Sequence, residues 1–156
     1  MTMTGAQPAA LHFMVESPPE GAVVDDEVRV DGWCVSDGDE PVAIRVRAGD
    51  QVVAAHDGIG RGDVAATYAH LTTAAHSGFA ATLALPAGSY QIAIDAQAGT
   101  GDWRPLGARS ITVRATPLRA SLDTPPALTA QAGAIRFSGW CVHPKLRIAD
   151  LRLAVG

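Results

Sequence analysis

Apolar and polar residues alternate along most of this chain of 156 residues with the period of two that is typical of β-strands. One side of each segment is aliphatic and the other is polar, as a half-buried strand requires. About seven such segments lie between Leu11 and Val113, separated by turns rich in Gly, Pro and Asp. The pattern predicts an all-β fold, an antiparallel β-sandwich with a single core. The predicted core positions are Val28, Val30, Ile44, Val46, Leu83, Leu85, Tyr90, Ile92, Ile94 and Ile111.

The chain also contains an internal repeat. The stretch Val30–Val35 returns as Phe137–Val142, and at this offset of 107 residues 35 positions align without a gap. Nine of them are identical, where ordinary residue usage gives about two. We therefore expect one whole domain over residues 11 to 115 and the opening of a second, truncated copy over residues 116 to 156. Residues 1 to 10 show no period and are expected to be a disordered leader.

Trp33 is the least regular position of the second strand. Strict alternation places its large ring on the polar face, which leaves two interpretations. Gly32 marks a β-bulge that turns Trp33 into the core, which we favour because glycine inside a strand often marks a bulge. Alternatively, Trp33 lies on the outer face against Arg45 or Arg47 as a cation–π pair.

The segment after the fourth predicted strand holds the one helical candidate. Asp63 is predicted to be its N-cap, with a short helix over Val64–Leu71. The tripeptide Arg61-Gly62-Asp63 matches an adhesion motif, but so short a match arises easily by chance. We interpret Asp63 as a helix cap and Arg61 as the anchor of its loop. Tyr90 follows a glycine turn at the start of a late strand, which predicts a tyrosine corner.

Composition narrows the functional classes. Hydrophobic residues make up 47% and charged residues 18% of the chain, the profile of a globular protein. The net charge is −4 and the arginines are scattered, so we expect no nucleic-acid partner. No apolar run reaches the length of a membrane span or a signal peptide, which favours the cytoplasm. The two cysteines, Cys34 and Cys141, occupy equivalent positions of the repeat and are predicted to be free, buried thiols.

The residue types capable of catalysis or metal binding form no recognised pattern in this sequence. His70 and His76 lack a zinc-ligand spacing, and no metal or cofactor is expected. A pocket that gathered His56, Asp63 and His76 would be needed to support an enzyme. A sugar-binding surface would need exposed aromatic rings, and the candidates are Trp33, Tyr68 and Trp103, with Arg61 as a further binding residue.

Four motifs occur in order along the chain: Gly32-Trp33-Cys34, Gly60–Ala65, Ser77-Gly78-Phe79 and Gly88–Ile92. This ordered set resembles the immunoglobulin-like β-sandwich modules found in tandem beside bacterial glycosyltransferase domains. The resemblance implies a sandwich fold, a place in a larger glycan-assembly protein and no catalytic residues in this segment. The positions that carry the structural motifs are Gly32, Trp33, Cys34, Asp63, Phe79, Tyr90, Gly139, Trp140 and Cys141.

Together these observations favour a non-catalytic structural or interaction module of a larger bacterial protein, accessory to a glycosyltransferase. A carbohydrate-binding module with a glycan ligand is the alternative. The expected partner is the catalytic domain of the same parent or another protein. The half-repeat has an apolar face without a facing sheet, so self-association through residues 118 to 156 is also expected. That face consists of Leu122, Ile135, Phe137, Trp140, Leu151 and Leu153.

Overall fold

The computed structural model describes residues 7–115, 118–124, 133, 136–143 and 147–152. The chain divides into two compact units, Met1–Arg114 and Ala115–Gly156. The described residues of the first unit form nine strands, one short α-helix and one 3₁₀ helix. The strands are β1 (Leu11–Ser17), β2 (Ala22–Asp25), β3 (Glu27–Ser36), β4 (Val42–Ala48), β5 (Gln51–Ala54), β6 (His56–Ile59), β7 (Gly78–Ala84), β8 (Gly88–Ala98) and β9 (Arg104–Arg114), and the helices are α1 (Gly62–Thr67) and the 3₁₀ helix (Thr72–His76).

The nine strands form two sheets that enclose one core. The first sheet has the order β1-β3-β7-β6 and the second the order β2-β9-β8-β4-β5. Neighbours are antiparallel except β2 and β9, which run parallel. The strands β1, β3, β7 and β6 correspond to the A-B-E-D sheet of an immunoglobulin domain, and β9, β8 and β4 correspond to its G-F-C sheet. The predicted all-β, immunoglobulin-like sandwich is confirmed, with nine strands instead of about seven.

The two strands that the alternation pattern missed are both short edge strands. β2 has only four residues, Ala22–Asp25, and it pairs in parallel with β9. No local sequence pattern predicts this pairing. β6 pairs with β7 only through His56 and Ile59, because the register shifts between them where Gly58 has a φ of +74°. Such irregular edges have no clean period of two to detect.

The core contains all ten predicted positions. Nine of them are buried, and Tyr90 is half-buried and packs against the rest. The Tyr90 hydroxyl donates a hydrogen bond of 2.8 Å to the carbonyl oxygen of Pro86, so the predicted tyrosine corner is present. Phe79 is almost fully buried in the same core.

The N-terminal boundary lies earlier than the pattern suggested. Ala9 accepts a hydrogen bond of 2.6 Å from Arg104, and the carbonyl oxygen of Ala10 accepts one from the amide of Asp37. Residues 9 and 10 are therefore bonded to the sandwich and do not belong to a leader. Residues 1 to 6 of the predicted leader lie outside the described residues.

In the described part of the second unit, β10 (Arg119–Thr124) and β11 (Ser138–Val142) form an antiparallel pair. Its register reproduces that of β1 and β3. Leu122 faces Gly139 as Val15 faces Gly32, and a bulge follows Leu122 as it follows Val15. The predicted copy over residues 116 to 156 is described only in part, and within that part the structural correspondence follows the 107-residue repeat.

Candidate functional site

Trp33 lies on the outer face of the first sheet, so the favoured bulge is wrong, and Arg45 of the alternative interpretation stacks on Trp103 instead of on Trp33. Burial alternates along β3 as far as Cys34, with Gly32 and Cys34 facing the core. The Trp33 ring is 5.8 Å from the ring of Tyr68, between their centroids. Both rings pack against a small second cluster, in which side chains of α1 and the 3₁₀ helix meet a side chain of β3. The cluster consists of Val35, Val64, Leu71 and Ala74. The helical segment, which comprises α1 and the 3₁₀ helix (Gly62–Thr67 and Thr72–His76), thus covers the tryptophan.

Gly32 has a different role from the predicted bulge. The bulge lies in the neighbouring strand β1, between Val15 and Ser17, and not in β3. A Cβ atom on Gly32 would overlap the carbonyl oxygen of Met14 and crowd the ring of Phe79. Glycine is therefore needed because two backbones and an aromatic ring approach closely.

Asp63 is not the helix N-cap. The N-cap position of α1 belongs to Arg61 and has no side-chain capping bond, while Asp63 lies in the first turn. The Arg61 guanidinium donates to both carboxylate oxygens of Asp63, at 2.9 and 2.6 Å, and to both of Glu16, at 2.9 and 3.0 Å. These bonds lower the pKa of Asp63 to about 2 and raise the pKa of Arg61. Arg61 thus anchors its loop to β1, and its guanidinium is already occupied by two carboxylates.

A second carboxylate fixes the start of the 3₁₀ helix. Asp39 has a φ of +55° in the loop between β3 and β4. Its oxygens accept bonds from the amides and hydroxyls of Thr72 and Thr73, at 2.6 to 3.0 Å. The hydroxyl of Thr72 and the two amides hold the pKa of Asp39 well below its ordinary value. Asp39 therefore caps the start of the 3₁₀ helix from a loop that lies 33 residues earlier in the chain. No local sequence pattern indicates such a cap.

A third charged cluster lies on the outer face of the five-stranded sheet. Asp95 is only 4% exposed and accepts hydrogen bonds from Arg45 Nε at 2.9 Å and from Arg47 Nε at 2.7 Å. The Arg45 guanidinium also stacks 4.4 Å from the ring centre of Trp103. Burial alone raises the pKa of Asp95, but the bonds from Arg47 and Arg45 outweigh it and the pKa is lowered. The sequence signal was an acidic residue on the polar side of β8, opposite an arginine of β4.

The three aromatic candidates do not form one sugar-binding surface. Trp33 and Tyr68 are adjacent, but both are half-buried and packed against the helical segment. Trp103 is half-buried as well, and Arg45 covers one face of its ring. Two exposed rings side by side, the arrangement that would favour sugar binding, are therefore not found among these residues.

A cleft of about 350 Å³ opens between β4, β6 and the 3₁₀ helix. Its floor is apolar, and Glu40, Asp57 and His76 lie at its walls. His76 is thus in a cleft, but His56 and Asp63 do not line it, so the constellation required for an enzyme is not assembled. Within the described residues, no group of three or more His, Cys, Asp or Glu side chains is arranged to hold a metal ion.

The two cysteines are both free, but they differ in burial. Cys34 is buried in the core, and burial raises the pKa of its thiol to about 12. Cys141 is half-buried, so the prediction of two buried thiols is wrong for this residue. The difference arises because β11 has no second sheet facing it within the described part of the second unit.

Apolar side chains of the second unit are exposed. Leu122 is 55% exposed, Trp140 53% and Leu151 70%, whereas Val15, Trp33 and Ile44 at the equivalent positions of the first unit are buried or half-buried. A groove of about 470 Å³ runs along this strand pair. Its apolar lining includes Leu122, Phe137, Trp140, Cys141 and Leu151. Of all the surfaces described, this one has the strongest apolar character.

In the part of the chain that the structure describes, neither helix has the length or the apolar character to span a membrane.

Comparisons with known proteins identify similar folds and no family. No protein-family model and no curated protein matches the chain. Similar solved structures include an endo-beta-1,4-mannanase from Thermotoga petrophila, with 13% identity and a TM-score of 0.47 over 73% of this chain. Fibronectin(III)-like modules of Clostridium thermocellum CbhA give 12% and 0.43 over 83%, and tandem Ig repeats of Dlar give 14% and 0.38 over 76%.

This chain spans 21% of the mannanase chain, 62% of the fibronectin(III)-like chain and 56% of the Dlar chain. At such low identities, what is shared is at most the fold. The assignment of the first unit as an immunoglobulin-like sandwich rests on its own strand order.

Proposed function

We propose that this chain is a non-catalytic structural and interaction module of a larger bacterial protein. We further propose that the parent is a glycosyltransferase, or a partner of one, that acts in glycan assembly in the cytoplasm. The module would position the catalytic domain through protein contacts. The ordered motifs around Gly32-Trp33-Cys34 and Gly88–Ile92 are the basis for the glycosyltransferase association.

The observation that carries the interaction role is the surface of the second unit. Its strand pair has the register, the bulge and the glycine contact of β1 and β3, yet its apolar side chains are exposed. Leu122 and Leu151 occupy positions whose equivalents in the first unit lie in the core. Contiguous apolar surface of this kind is typical of protein interfaces.

The use of the charged residues supports the non-catalytic part of the proposal. Arg61, Asp39 and Asp95 are the residues with the most extensive side-chain hydrogen bonds, and each joins two parts of the sandwich. Their pKa shifts are explained by these structural bonds and by burial. They therefore stabilise the module and need no catalytic role.

The test compares the parent protein with and without residues 11–156. If the module is accessory, deletion should reduce glycosyl transfer to the natural acceptor and leave slow hydrolysis of the sugar-nucleotide donor unchanged. The isolated chain should neither hydrolyse the donor nor transfer its sugar. Activity of the isolated chain, or a parent without a transferase domain, would contradict the proposal.

Carbohydrate binding is the alternative, and the residues around Trp103 are the ones to test. An aromatic ring beside Arg45, Arg47 and Asp95 combines an apolar surface with hydrogen-bonding groups. Isothermal titration with neutral and acidic oligosaccharides, on the wild-type chain and on Trp103→Ala, would identify such a site. A saturable signal that the substitution abolishes would favour this alternative over a protein-interaction role.

A further inference from the structure

Arg45 and Arg47 are bound to the same buried carboxylate on the outer face of the five-stranded sheet. Both donate through Nε to one oxygen of Asp95, at 2.9 and 2.7 Å, and Arg47 also donates through Nη2 to the other oxygen, at 3.3 Å. Because the two Nε atoms share one acceptor, the guanidinium groups lie side by side. Asp95 is ionised at neutral pH, since its pKa is lowered. The cluster therefore keeps one unbalanced positive charge in a chain whose net charge is −4.

The buried acid holds the two cations and leaves part of their hydrogen-bonding capacity unused. Asp95 is 4% exposed, whereas the side chains of Arg45 and Arg47 are 32% and 46% exposed. Within the described residues, Asp95 accepts every hydrogen bond that these two guanidinium groups donate, one from Arg45 and two from Arg47. A guanidinium has five N–H donors, so the remaining ones, all on terminal nitrogens, can bind a second oxyanion.

The surroundings of the two guanidinium groups are apolar and aromatic. Arg47 lies between Val52 of β5 and Ala93 of β8, which face it across the two strand pairs. Val52 is 62% exposed. The Arg45 guanidinium stacks 4.4 Å from the ring centre of Trp103. An approaching surface thus meets two cations beside aliphatic and aromatic side chains, and arginine and tryptophan are enriched among the residues that dominate protein interfaces.

The second anion needs a carrier large enough to exclude water. An ion pair on an open sheet face contributes little while water surrounds it. A protein surface that covers Val52 and Ala93 removes that water, and the same pair then becomes stronger. A sugar acid finds less support here, because Arg45 already covers one face of the Trp103 ring.

We propose that Arg45 and Arg47 form a docking site for a protein partner that presents an aspartate or glutamate side chain surrounded by apolar residues. The partner's carboxylate accepts hydrogen bonds from the terminal nitrogens of both arginines and balances the remaining positive charge. Asp95 is a positioning residue that holds both guanidinium groups together. The site deepens the interaction role proposed above and rests on it. It does not require the parent to be a glycosyltransferase, so the two proposals can fail separately.

The test uses the full chain and a capped peptide, acetyl-Ala-Val-Glu-Val-Ala-amide, as the probe. In arginine-selective NMR spectra, the Nε signals of Arg45 and Arg47 should shift in a saturable way as the peptide is added. The Nε signal of Arg29, an exposed arginine that is already paired with Asp31, should not shift. The same peptide with Gln in place of Glu should bind at least about tenfold more weakly, because it lacks the charge. Acetate, which has the carboxylate without apolar neighbours, should be weaker by a similar factor.

Matched variants place the peptide on the sheet. Val52→Asp puts a carboxylate directly opposite Arg47 on the neighbouring strand, where it competes with the peptide, and should weaken binding at least about tenfold. Its position is exposed, so the fold should be retained. Val23→Asp is the control, since it lies on β2 at the opposite edge of the same sheet and is 56% exposed. It should leave binding unchanged. Arg45→Gln should weaken binding as strongly as Val52→Asp, with circular dichroism to show that the variant is folded.

Four results would overturn the proposal. The first is the absence of a saturable shift at Arg45 and Arg47, and the second is equal binding of the Glu and Gln peptides. The third is binding that survives Val52→Asp, because the peptide would then lie elsewhere. The fourth is tighter binding of glucuronate or of inorganic phosphate than of the peptide, because the occupant would then be an acidic sugar or a free anion instead of a protein.

Discussion

Gly32 and Met14 are in contact across the β1–β3 pair in a way that excludes any side chain at residue 32. A Cβ atom there would overlap the main-chain carbonyl oxygen of Met14. Gly139 stands in the same relation to Ser121 in the second unit. Both contacts lie next to a bulge in the first strand of the pair, which brings the two backbones close together. The repeated glycine is therefore a requirement of the strand pair.

We expect Gly32→Ala to destabilise the first unit by about 1 to 3 kcal/mol or more, because the overlapping atom belongs to the backbone and cannot rotate away. Chemical denaturation followed by circular dichroism measures the change. Gly60→Ala is the matched control, since no atom lies within 4 Å of a Cβ at that position. Its effect should stay within about 0.5 kcal/mol. Equal stability of the two variants would show that β1 and β3 are not in this close contact.

Alternation predicted the strands of this fold well because each one has a polar face and a core face. β3 follows the pattern so strictly that Trp33 faces outwards, where the helical segment covers it. That cover could not be predicted, since it depends on residues about 30 positions further along the chain. Asp39 and Thr72 illustrate the same limit, because their contact joins a loop to the start of the 3₁₀ helix without a local signal.

The candidate site was predicted less well than the fold. Sugar binding requires exposed aromatic rings, and the structure places the three candidates, Trp33, Tyr68 and Trp103, in half-buried clusters. Arg61 was correctly interpreted as a loop anchor, but its partner Glu16 lies 45 residues away. Sequence gives the side of a strand on which a residue lies, and tertiary packing decides what covers it.

Asp39 makes the stability of the helical segment dependent on pH. Its pKa in the folded chain is lowered from the ordinary value of 3.8, chiefly by the hydroxyl of Thr72 and the amides of both threonines. A carboxyl group with a lowered folded pKa stabilises the fold above its unfolded pKa and loses that effect as the pH falls toward the folded value. The contribution of Asp39 should therefore be constant near neutral pH and decline below about pH 4.

The measurement is the difference in unfolding free energy between the wild type and Asp39→Asn, from neutral pH to about pH 2. The wild type should be more stable at neutral pH, and the difference should shrink as the solution becomes more acidic. Asp50→Asn, in the exposed turn between β4 and β5, is the control and should show little difference at neutral pH. A constant difference for Asp39→Asn over the whole range would rule out the proposed role of its charge.

The two thiols should react at very different rates. With a pKa of about 12, roughly one Cys34 side chain in ten thousand is a thiolate at pH 8, and the group is also buried. Cys141 is half-buried and should react in the native state. Mass spectrometry after brief labelling should find a single adduct on Cys141 and a second only in denaturant. Cys141→Ser should take up no label in the native state, and fast labelling of that variant would place Cys34 at the surface.

The exposed face of the second unit should make the intact chain associate at high concentration. Leu122 and Leu151, whose equivalents Val15 and Ile44 lie in the core of the first unit, are each more than half exposed, and burial of apolar area contributes about 25 cal/mol per Å². Light scattering should show a larger mass for the intact chain than for a chain ending at Ala115, which keeps the whole sandwich core. The double variant Leu122→Asp with Leu151→Asp should behave like the shorter chain. If both chains remain monomeric and equally stable at high concentration, residues 118–156 do not mediate assembly.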